Sequence, residues 1–138
     1  MFTLSSAYLF AIAAILASIS ILLIFKINVE KIKENPENLS NVQTKFFIGV
    51  AIAEIIPIIL IIFGMINLES ASSLEELLIP GIIAISAMVF APLFILLQRS
   101  IGVPEEAKQN VTTFAMIALA MANAIPLIAL VGLIMMLP

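Results

Sequence analysis

The stretch Val42–Ile66, VQTKFFIGVAIAEIIPIILIIFGMI, decides how this chain is built. Apart from Lys45 near its start, its one charged residue is Glu54, almost at its centre. A helix rises about 1.5 Å per residue, so this run can cross a hydrocarbon core of about 30 Å. An ionisable side chain at mid-membrane costs about 2.5–3.5 kcal/mol on insertion scales. Such a residue is retained mainly where it carries a proton, an ion or a partner contact, and Glu54 is therefore the first candidate for function.

Outward from this stretch lie three more apolar runs, roughly Ser5 to Phe25, Leu77 to Leu97 and Val111 to Leu137. Each is long enough to span a bilayer. The expected fold is an all-α membrane protein of four transmembrane helices, paired as two tandem helical hairpins. Composition agrees. The 138 residues are 63% hydrophobic and 11% charged, with a mean hydropathy of +1.26. A soluble domain is nearer half apolar and a quarter charged. What remains between the runs is too short for a soluble domain.

Cysteine, histidine and tryptophan are all absent. That excludes disulfides, thiolate and histidine metal ligands, and imidazole general bases. No metal or cofactor is expected, and nothing points to nucleic acid. The start, MFTLSSAYLF, lacks the basic region of a secretory signal peptide and reads as the beginning of the first membrane helix.

Three polar connections separate the runs. The first holds Lys26, Lys31, Lys33 and Lys45 with Glu30, Glu34 and Glu37; the second, Asn67–Glu76, holds Glu69, Glu75 and Glu76 and no basic residue. The third holds Arg99 and Lys108 with Glu105 and Glu106. All the basic residues thus flank the first and third connections. The positive-inside rule places the bends at 26–45 and 98–110 in the cytoplasm, with the second connection and both termini outside.

The two hairpins read as a tandem repeat, 1–70 and 71–138. Asn35-Pro36-Glu37 corresponds to Val103-Pro104-Glu105, and Val42, Thr44, Ile48, Ala51 and Ala53 to Val111, Thr113, Ile117, Ala120 and Ala122. Ile56-Pro57 corresponds to Ile125-Pro126. Matches among Ile and Ala come easily in apolar sequence, and the matched prolines carry more weight. In this register Glu54 aligns with Asn123, so the second hairpin has an uncharged amide where the first has a carboxyl. Asn123 reads as a degenerate second site, with a hydrogen bond across helices as the other reading. Small residues recur at helical spacing: Ala7, Ala11, Ala14 and Ser18; Gly49 and Ala53; Gly81, Ala84, Ala87 and Ala91; Ala118 and Ala122. Such faces let helix backbones approach closely in lipid.

The residues from Asn35-Pro36-Glu37 through Val42-Gln43-Thr44-Lys45-Phe46-Phe47-Ile48-Gly49-Val50-Ala51-Ile52-Ala53-Glu54 to Pro57-Ile58-Ile59 closely resemble the c subunits of F-type ATP synthases. That family of proteolipids has a polar bend with a Pro-Glu pair, followed by a helix whose carboxylate is the ion carrier of a rotor ring. The resemblance puts Glu54 in that role. It implies self-association into a ring in the lipid bilayer of a prokaryotic plasma membrane. It further implies a stationary membrane subunit bearing an exchange arginine, and a central stalk. The chain would have no catalytic site of its own and would be at most one component of a proton-translocating ATP synthase or ATPase. The doubled hairpin with one carboxylate resembles the proteolipids of V-type ATPases. Two features depart from the pattern. The glycine run of the family's first helix reads Ala13, Ala17, Ser18 and Ser20 here, and its Arg-Gln-Pro bend reads Glu34-Asn35-Pro36.

A carboxyl facing lipid or a helix seam is desolvated, which disfavours its charged form. Glu54 is then neutral in the membrane and releases its proton only on reaching an aqueous channel or a cationic partner. Sodium is less favoured, because a sodium site needs several oxygen ligands around the carboxylate. The family's sodium ligands, a glutamine on the first helix and a hydroxyl residue after the glutamate, are missing: Ile55 follows Glu54. Candidate supporting residues are Ser18 and Ser20, each with a hydroxyl for the protonated carboxyl, and Ala53, whose carbonyl is freed by Pro57. The other reading of Pro57 is a packing kink, repeated at Pro126. The alternative for the whole chain is a stand-alone paralogue, a membrane scaffold or assembly protein in which Glu54 is an interhelix contact. The departures in the first helix and bend favour it. The central position and motif context of Glu54 favour the rotor.

Overall fold

The computed structural model describes residues 5–138, and among them every regular element is helical. Helix α1 runs Ser6–Glu34 and a short 3-10 turn follows at Pro36–Asn38. Next come α2 (Leu39–Ala53), α3 (Ile55–Ile66) and α4 (Glu75–Ser100). A second 3-10 turn, Glu105–Ala107, leads into α5 (Lys108–Met135). Helices α1, α4 and α5 are each long and apolar enough to cross a membrane. The fourth span is the pair α2–α3, bent by 40° at Glu54.

The helix ends follow from local chemistry. The residue before a proline is pushed out of the helical region, and Asn35, before Pro36, has φ −144° and ψ 85° and ends α1. The other bend turns at Gly102, whose φ of 61° is a left-handed conformation that glycine adopts without steric cost. Glu75 and Glu76 occupy the first turn of α4, and Arg99 its last, each sign matching the helix dipole.

One expectation changes. The charged residues Lys26, Glu30, Lys31, Lys33 and Glu34 lie in the last turns of α1 and not in a loop. Lysine and glutamate are good helix formers, so nothing stops α1 before Pro36. The first connection thus shrinks to a bend around Asn35–Asn38. Arg99 likewise lies within α4.

Helix α1 is the hub. It packs against α4, α5 and the α2–α3 pair, while α2–α3 touches α5 only lightly. Its contact surface is built of small residues: Ala11, Ala13, Ala14 and Ala17 are fully buried. The faces expected on α4 and α5 are buried as well, at Ala84, Ala87, Ala91, Ala118 and Ala122. Gly81, however, faces open space, and Gly49 and Ala53 on α2 are only half-buried. The larger core side chains gather towards the bends. Phe25 stacks on Phe114 at 5.4 Å between ring centroids, and Phe46 meets Phe114 edge-on at 4.9 Å. Large apolar side chains such as Ile19, Leu23, Ile56, Ile66 and Phe90 point outward, as befits a surface whose solvent is lipid.

Hydrogen bonds lock both ends. Asn110 Nδ2 donates to the carbonyl of Pro36 at 2.7 Å and joins the two bends. At the opposite end, Ser6 Oγ donates to the carbonyl of Asn67 at 2.9 Å, and the Ala71 N–H to that of Met136 at 2.8 Å.

Candidate functional site

Glu54 is the residue at which α2 stops and α3 begins. Its backbone stays near helical, with φ −85° and ψ −4°. The Glu54 N–H donates to Val50 O at 2.9 Å, and its carbonyl accepts from the Ile58 N–H at 2.9 Å. Pro57, in the first turn of α3, has no N–H to give to Ala53. The chain therefore bends here without losing its helical course. Proline alone does not produce the break. Helix α5 runs through Pro126, and α4 through Pro80 and Pro92, each as one element.

The side chain sits on a border. Val50 and Pro57, one turn to either side, are buried, while Ile52, Ile55, Ile56 and Ile58 are exposed. Glu54 itself is half-buried, and its Oε1 is buried without a hydrogen-bond partner. One carboxyl oxygen is thus turned into the bundle, while the residue as a whole stays half-exposed.

Two packing anchors fix where the other candidates lie. Phe10 fills the space beside both Gly64 and Gly132, where an added Cβ would come within 2.6 Å of its ring. Nearer the bends, Phe25, Phe114 and Phe46 form the aromatic cluster already described. Helix α1 runs antiparallel to both α2–α3 and α5 between these anchors. Glu54 lies about midway from Gly64 to Phe46, Asn123 midway from Gly132 to Phe114, and Ser18 midway from Phe10 to Phe25. The three residues share one level of the bundle. Ser20 is close to the same level and half-buried.

At that level Ser18 is buried, and its Oγ has no hydrogen-bond partner. Asn123 Oδ1 is also buried and unpartnered. The Ser18 hydroxyl therefore does not reach Glu54 Oε1. On the terminal side of this level, Ala13 and Ala17 of α1, Ile125 of α5, and Leu60 and Ile61 of α3 pack together. On the bend side, Ile21 and Leu22 belong to one cluster with Val50, Ala118 and Ala122. The three helices thus converge on both sides of the polar level.

A second polar cluster, which reading the sequence did not reveal, ties the bend end together. Lys33 is almost wholly buried, and its Nζ donates to the carbonyl of Ile101 at 2.7 Å, just beyond the end of α4. Lys26 Nζ donates to Gln98 Oε1 of α4 at 2.7 Å and to Glu30 at 2.8 Å. A signal for it exists in the chain. Phe25, Val29, Ile32 and Lys33 follow helical spacing, so Lys33 falls on the buried stripe once α1 is extended to Glu34.

The family profile of the ATP synthase c subunit matches residues 4–67. The ATP synthase c subunit of Alkalihalobacillus alcalophilus is 35% identical over 68 residues, which make up 49% of this chain and 96% of that protein. No solved structure matches this chain.

Proposed function

The chain belongs to the c-subunit family of ATP synthases and is an integral, multi-pass membrane protein, and from there we propose that it is the rotor-ring proteolipid of a proton-translocating ATP synthase or ATPase, with Glu54 as the proton carrier. The observation that carries this reading is the state of Glu54. It is the one carboxyl in the apolar part of its span, it lies within the family match, and it is half-buried at a helix break with an unpartnered oxygen. Desolvation favours its neutral form among apolar neighbours, and a cationic group on a stationary partner would favour release.

Residues 71–138 are a second, degenerate copy of the hairpin on this reading. In support, each of α2 and α5 starts directly after a 3-10 turn, and Pro57 and Pro126 stand at matching places in the span that follows. One proton would then be carried per four helices. The bends face the cytoplasm, where the basic residues gather, and the membrane is a prokaryotic plasma membrane. Ring partners, a stationary subunit with an exchange arginine and a central stalk complete the assembly.

The test is the native mass of the detergent-extracted protein, followed by proton uptake in the assembled enzyme. A discrete assembly of many identical copies is expected. Glu54→Gln removes the titrating group while keeping shape, and should abolish proton transport with the assembly intact. A monomer or small oligomer would sink the rotor reading and leave the stand-alone scaffold in its place.

A further inference from the structure

A groove runs between α1 and α4 towards the bends, lined by Ile19, Leu22, Leu23 and Lys26 of α1 and by Phe90 and Phe94 of α4. Leu22 is buried and forms its floor, while Ile19, Leu23 and Phe90 stand exposed at its rims. The Phe90 and Phe94 rings stack at 6.5 Å between centroids, 27° apart, and make one smooth wall. From Ile19 to Lys26 the groove follows about 10 Å of helix. Every lining residue but Lys26 is apolar.

The charges at the Lys26 end do not cancel. Lys26 Nζ donates to Glu30 Oε1 at 2.8 Å, and the same oxygen accepts from Lys33 Nζ at 3.4 Å. Two ammonium groups thus share one carboxylate, which leaves one positive charge in excess. Their other partners are uncharged: Gln98 Oε1 accepts from Lys26, and the Ile101 carbonyl from Lys33. Lys33 is almost wholly buried, whereas the Lys26 side chain is half-exposed and borders the groove. The excess charge is therefore accessible at Lys26. An ammonium has three hydrogens to give. Among the described residues Lys26 uses two, and the third is left for an anion.

Depth selects the occupant. Lys26 is the first charged residue of α1, and Gln98 directly follows the apolar run of α4, so the groove lies at hydrocarbon depth and its charge at the interface. Basic pockets between membrane helices at that depth suit anionic headgroups. An acyl chain matches the apolar lining, and a phosphodiester matches the single excess charge. A phosphocholine headgroup brings a cation of its own, and Glu30 is already shared by two lysines. We infer that the groove is a binding site for one anionic phospholipid of the bilayer, its chain lying over Leu22 beside the two phenylalanines and its phosphodiester at Lys26. The site stands independently of the role of Glu54.

The test places the intact protein in vesicles of equal phosphatidylglycerol and phosphatidylcholine, extracts it in mild detergent, and counts the retained lipids of each class by native mass spectrometry. The wild type should retain phosphatidylglycerol in preference by about fivefold, as expected of one lysine near the membrane surface. Lys26→Met, which keeps the stem, should abolish the preference, and Lys26→Arg should keep it. Lys26→Gln serves the same purpose if methionine disturbs the fold. Lys31→Met, at an exposed position of α1 away from the groove, should leave the preference unchanged. Leu23→Trp, which fills the groove from its rim, should cut the retention of phosphatidylglycerol. Equal retention of the two lipids by the wild type overturns the site. So does an equal loss in Lys26→Met and Lys31→Met, which would mark a general attraction to the basic bends. A Leu23→Trp protein that retains lipid as before but changes in native mass would put a second copy of this chain on the groove, and that too overturns it.

Discussion

Pro57 shows how much one residue's chemistry explains and where its neighbours take over. The missing N–H leaves the Ala53 carbonyl without its usual donor, and the span bends by 40° one turn earlier, at Glu54. Yet Pro126, at the matching place in α5, leaves that helix unbroken. The difference lies in what surrounds them: Pro126 is in a helix packed along its length against α1 and α4, while α2–α3 rests mainly on α1. Pro57→Ala should therefore restore the hydrogen bond to Ala53 and reduce the bend. Amide exchange would show it as new protection at position 57, and Pro126→Ala should leave the course of α5 unchanged. A bend that persists in Pro57→Ala with a protected amide would mean that packing on α1 imposes it. The importance of Glu54 was plain from the sequence, because a lone carboxyl among apolar residues stands out. That Ser18 and Asn123 share its level was not, because residues far apart in sequence acquire a common depth only through packing.

Among the elements, α1 departs most from its expected form. Its apolar run ends near Phe25, but the helix continues to Glu34 and carries its charges with it. The buried Lys33 exploits that extension, running its apolar stem along the bundle and giving its ammonium hydrogen to the carbonyl just past α4. A hydrogen bond to a charged group contributes about 1.5–3 kcal/mol, more than a neutral one. Lys33→Met, which keeps the stem, should destabilise the detergent-solubilised protein by about that amount in chemical unfolding. Lys31→Met, at an exposed position two residues away, should change stability by no more than about 0.5 kcal/mol. Equal effects at both sites would show that Lys33 acts through the overall charge of the bend and not through its contact.

Across the whole molecule, the two hairpins share one interior. Clusters of buried residues draw on both halves, and Phe10 of the first helix is gripped by Gly64 from one hairpin and Gly132 from the other. Where lipid is the solvent no hydrophobic effect drives helices together, and close packing does that work. Gly132→Ala should therefore cost about 1–3 kcal/mol by overpacking against a ring that is itself fully buried. Gly81→Ala, into open space, should be neutral or stabilising by up to about 1 kcal/mol through helix propensity. Thermal unfolding of the two variants side by side would separate packing from propensity. The class of the fold, its apolar runs, its bends and the prominence of Glu54 were all legible before any helix was packed. They depend on composition, on run length against bilayer thickness and on proline and glycine chemistry, all of which are local. The hub role of α1, the burial of Lys33 and the common level of Ser18, Glu54 and Asn123 emerged with the folded bundle. These depend on which faces meet, and many interchangeable Ala and Ile residues leave that choice to the packing of all the helices together.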